Sequence, residues 1–69
     1  MTTTLGDTLI DAIVESAKGN IQRHLANIAV YQQNPAGIGE HPDIIGAIEE
    51  EIKKIAELDD VIEVCQKYF

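Results

Sequence analysis

Apolar residues recur through the first half of the chain at Ile10, Val14, Ala17, Ile21, Ile28 and Tyr31, with His24 taking one place in the series. The steps alternate between four and three residues, which gathers the whole set on one stripe of an α-helix facing a second helix. Leu9, Ile13, Leu25 and Ala29 widen that stripe on its flanks, where a second contact surface would use them. Thr4-Leu5-Gly6-Asp7 resembles a capping box with Asp in place of the usual Glu or Gln, so the helix is expected to start after Thr4. Asp7 and Asp11 then suit the positive end of its dipole. Gly19-Asn20 weakens helix propensity mid-segment, the glycine by about 1 kcal/mol relative to Ala. The seven-residue phase passes through it without slipping, which predicts one helix over about 5–33 with a kink at Gly19 as the open alternative.

A second stripe consists of Ile44, Ile48, Ile52, Ile55, Ile62, Cys65 and Phe69, with Ile45 and Leu58 beside it. Its phase drifts near Asp59-Asp60, as in a straight bundle helix. Between the stripes lies NPAGIGEHPD, residues 34–43, which supplies a helix stop at Asn34-Pro35, two glycines and a restart at Pro42. The spacing predicts a loop over about 34–41 and a helix over about 42–67, with Pro42 in the first helical position and His41 as its cap. Glu49–Lys53 and Glu50–Lys54 are i,i+4 pairs in the favourable order. The tail Tyr68-Phe69 is free either to dock or to fray.

A reversal near residue 38 sets Ile28 against Ile48, Ile21 against Ile55, Val14 against Ile62, Ile10 near Cys65 and His24 beside Ile52. The expected fold is all-α: a single domain over residues 1–69, built as an antiparallel two-helix hairpin. Helices of about 25 residues make a rod of roughly 38 Å. Such a hairpin buries only one seam, and a chain of 69 residues commonly needs a staple. The single cysteine forms no internal disulfide, and metal ligands are few. Oligomerisation is the remaining staple. Two hairpins pairing into a four-helix bundle, as a homo-oligomer with the dimer favoured, is therefore the expected assembly. Ile10, Val14, Ile21, His24, Ile28, Tyr31, Ile48, Ile52, Ile55 and Ile62 are its core or interface candidates.

Twelve acidic against five basic side chains give a formal net charge of −7. That balance disfavours phosphate backbones and anionic membrane surfaces, so neither direct nucleic-acid nor membrane binding is expected. A basic protein partner fits it, and so does plain solubility of a small helical oligomer. No apolar run approaches the roughly 18 residues of a membrane span, and MTTTLGDTL lacks the start of a secretory signal. The expected location is the cytoplasm.

Candidate chemistry is sparse. His24 on the seam reads as a ligand or proton-responsive group, or as a packed histidine with one polar partner. His41 with Glu40 and Asp43 reads as a metal site shared between subunits, or as a helix-start cluster. Cys65 reads as a nucleophile, or as a small buried hydrophobe. The acids Glu49, Glu50, Glu51, Glu57, Asp59, Asp60 and Glu63 read as a solvated face, or as a surface that imitates a nucleic-acid backbone. No nucleophile–base pair or metal-ligand spacing emerges, so neither an enzyme nor a cofactor is expected.

The string Tyr31-x-x-Asn34-Pro35-Ala36-Gly37-Ile38-Gly39-Glu40-His41, followed by the acidic helix, resembles a group of short uncharacterised helical proteins of marine tailed phages and ocean metagenomic sequence. The resemblance covers about residues 31–69 and implies a helical hairpin of viral source, acting in the host cytoplasm. It brings no activity and no functional residue.

Overall fold

The computed structural model describes residues 4–33 and 43–69. Two helices account for nearly all of them, α1 over Leu5–Gln33 and α2 over Ile44–Tyr68, and they pack on each other. Ile10 near the start of α1 shares a hollow with Cys65 near the end of α2, while His24 meets Glu51 midway, so the helices run antiparallel. The result is a rod of 52 × 16 × 14 Å.

Each helix start is built from its own local sequence. At α1, Thr4 Oγ1 accepts from the Asp7 backbone N–H at 3.1 Å, and the Asp7 carboxylate accepts from the Thr4 N–H at 3.4 Å. Two orphan donors are thereby satisfied reciprocally, as the capping box requires. At α2 the cap is Asp43, not His41: its carboxylate accepts from the Gly46 N–H at 2.8 Å, and its carbonyl accepts from the Ala47 N–H at 3.1 Å. A Cβ on Gly46 would fall 2.2 Å from Asp43 Oδ2, so glycine leaves the space this carboxylate occupies. The loop at 34–41 and Pro42 lie outside the described residues. Helix α1 continues through Gly19, around which nothing lies within 4 Å of an added Cβ. At the far end of α2, the Phe69 N–H donates to the Cys65 carbonyl at 3.1 Å.

The side of α2 that faces α1 differs from the stripe expected. Ile44, Ile48, Glu51, Ile55, Leu58 and Ile62 are half-buried and Cys65 is buried, a strict alternation of four and three with no drift near Asp59-Asp60. Ile52, expected beside His24, is 53% exposed and lies off the seam. Four-residue steps from Ile44 through Ile48 to Ile52 rotate about 40° each, and following them carries the stripe off the contact line. A three-residue step to Glu51 turns it back. On α1, Ile10, Val14, Ile21, His24, Ile28 and Tyr31 are half-buried around a buried Ala17.

One seam between two helices covers little. Among the described residues only Ala17 and Cys65 fall below 9% exposure, at 4% and 8%. Leu9, Ile13, Leu25, Ile45, Val64, Tyr68 and Phe69 all stand exposed, the last two at 67% and 79%, so the tail does not dock within the chain.

A candidate functional site at the polar step of the seam

His24 and Glu51 join the two helices by a side-chain hydrogen bond, with Nδ1 and Oε2 2.5 Å apart. Both occupy seam positions flanked by isoleucines, Ile21 and Ile28 on α1, Ile48 and Ile55 on α2. Their side chains are only 17% and 12% exposed. An ionised carboxylate only accepts, so Nδ1 carries the proton and donates it to Glu51. That hydrogen bond holds the Glu51 carboxyl below the usual carboxylate range; the Asn27 side chain and the charges of His24 and Lys54 act the same way, against a smaller upward push from burial. No buried side-chain nitrogen or oxygen among the described residues lacks a partner.

The sequence gives His24 its place but not its partner. Glu51 reads there as one of three consecutive acids on an outer face, and the structure removes it from that face. Strict four-three spacing from Ile48 to Ile55 lands on residue 51, which is the signal that could have found it. Glu49, Glu50, Glu57, Asp59, Asp60 and Glu63 remain exposed. Lys53 pairs with Glu50 at 3.6 Å rather than with Glu49, and Lys18 with Glu15 at 3.6 Å; both contacts are exposed and contribute little.

The remaining chemistry-bearing residues are dispersed. Cys65 borders an open hollow of about 230 Å³ with Ile10 and Val14, toward the end of the hairpin away from His24. Asp43 is engaged in capping, and His41 and Glu40 lie outside the described residues. Among the described residues no three His, Cys, Asp or Glu side chains are gathered as they would be to hold a metal ion. No described helix is long and apolar enough to cross a membrane. An imidazole held by a carboxylate can orient a proton, and the contact satisfies two polar groups inside an apolar seam.

Comparison with protein-family models, with curated proteins and with solved structures found no match.

Proposed function

We propose that this chain is a structural or interaction module that works as a homo-oligomer, two hairpins packing by their flanks into a four-helix bundle. One observation carries the reading: among the described residues eleven large hydrophobic side chains stand exposed, while only Ala17 and Cys65 are buried. Apolar flanks on both helices, left uncovered by the seam, are what a partner of the same kind would cover. The module then acts as an adaptor or small scaffold in a cytoplasmic setting, that of the host if its source is a phage. Light scattering after size exclusion tests this. A dimer or tetramer that persists in high salt supports it, and a well-folded monomer at all concentrations rejects it.

The exposed acids Glu49, Glu50, Glu57, Asp59, Asp60 and Glu63 favour a second reading, an acidic regulator that occupies the basic surface of another protein. Such binding would weaken steeply as salt screens the charges. Capture from host lysate of only salt-insensitive partners would remove this reading.

A further inference from the structure

We propose that His24 and Glu51 form a register lock, a polar step that selects the observed alignment of the two helices over one displaced by seven residues. In the middle of the hairpin the apolar part of the seam does not make that choice, and the polar step adds to the preference that the outer levels supply. Isoleucine repeats every seven residues at Ile21 and Ile28 on α1, and at Ile48, Ile55 and Ile62 on α2. Sliding α2 by seven residues toward the connecting segment lays Ile62 on Ile21 and Ile55 on Ile28, while Ile10, Ile44 and Ile48 pass beyond the end of the facing helix. The displacement is only about 10 Å along the helix axis, within reach of a connection spanning residues 34–42.

The polar step does distinguish the two alignments. In the observed one, His24 Nδ1 meets Glu51 Oε2 at 2.5 Å and each satisfies the other. In the displaced one, His24 lies beside Leu58 and loses the carboxylate, while Glu51 moves up to the level of Tyr31. An unpaired polar group in a half-buried seam is penalised by its desolvation, and a single buried polar pair is the usual means of fixing register in helix pairs. The lock is independent of oligomeric state, because both partners lie on one chain.

Cross-linking through the native Cys65 reads the alignment directly. Cys65 shares a hollow with Ile10 in the observed register and would lie level with Ala17 in the displaced one. A disulfide needs Cα atoms within about 7 Å, so one cysteine cannot serve both registers. In a full-length chain carrying Ile10→Cys and Ala17→Cys, equilibrated in a glutathione buffer at a concentration where circular dichroism shows the chain folded, single-chain products are separated on non-reducing gels and their intrachain links are mapped by proteolysis and mass spectrometry.

With His24 and Glu51 intact, the link from Cys65 to position 10 should exceed that to position 17 by at least about tenfold. The pair His24→Leu/Glu51→Leu should lower that excess at least about fivefold while the chain stays helical. The exchanged pair His24→Glu/Glu51→His should restore the excess. The proposal is overturned if the leucine pair keeps the parent's ratio, or if the exchanged pair partitions like the leucine pair. A leucine pair that fails to become helical also overturns it, since the two residues would then support folding rather than select among alignments.

Discussion

His24 and Glu51 stand 27 residues apart in the chain, yet their side chains meet at 2.5 Å in the middle of a seam made otherwise of apolar residues. The pairing depends on the antiparallel hairpin, because no helix places residues that far apart side by side. It gives each polar group its partner with little help from water, and it fixes several consequences for stability.

Stability should fall in acid through Glu51. Its carboxyl is held below the ordinary glutamate value of 4.5 by His24, with Asn27 and Lys54 in support. The unfolded chain therefore binds the proton first, so the contribution is fully present above about pH 4.5 and is lost as pH falls through the lower folded-state value. Urea unfolding between pH 6 and pH 3 should show a steeper loss in the parent than in Glu51→Gln. Equal pH dependence in the two chains would contradict the assignment.

Removing one member of the pair should be worse than removing both. His24→Leu deprives a half-buried carboxylate of its principal donor, and Glu51→Leu leaves an imidazole without its acceptor. Each should lower Tm by several degrees, whereas His24→Leu/Glu51→Leu should recover most of the loss or exceed the parent. Thermal melts followed by circular dichroism complete the double-mutant cycle, and additive effects would show that the contact is energetically empty.

Gly19→Ala should stabilise the chain by about 1 kcal/mol, since helix propensity improves and the added methyl meets nothing within 4 Å. The same change at Gly46 should gain almost nothing. There the methyl would displace the Asp43 carboxylate, and loss of a cap costs about 1 kcal/mol, offsetting the propensity gain. Asp43→Ala, which loses the cap alone, should destabilise by about 1 kcal/mol. Chemical denaturation of the three variants separates these outcomes.

Helix α1 is more legible in the sequence than α2, for identifiable reasons. Thr4 and Asp7 announce a helix start by residue type and spacing, and the stripe from Ile10 to Tyr31 contains only one polar member. On α2, isoleucine at 52 and glutamate at 51 invert the usual assignment of apolar to inside and charged to outside. Side-chain polarity followed residue by residue thus selects Ile52, whereas helical geometry selects Glu51. Leu58 was displaced to the flank by the same error, because a stripe drawn through Ile52 arrives there out of phase. Asp43 reads as a first-turn acid because Pro42 favours a helix start two residues earlier; its bond to the Gly46 N–H depends on backbone geometry that residue type alone does not specify.

The exposed flanks should behave differently from the seam. Ile13→Glu alters a side chain 46% exposed on the hairpin, and Leu9→Glu one that is 57% exposed. In a homo-oligomer each should weaken self-association at least about tenfold. Lys18→Ala, which alters an exposed ion pair, should leave assembly unchanged. Sedimentation equilibrium measures all three, and wild-type association in Ile13→Glu and Leu9→Glu would place the interface elsewhere.

In the proposed homo-oligomer, folding of this hairpin is coupled to association with a second copy. The dependence of Tm on protein concentration, from about 1 to 500 μM in high salt, is the measurement to make. Coupled folding and assembly predict a Tm that rises steadily with concentration, because mass action favours the assembled state. A sharp, cooperative transition at the same temperature across the whole range would contradict the claim and make the isolated hairpin the folded unit.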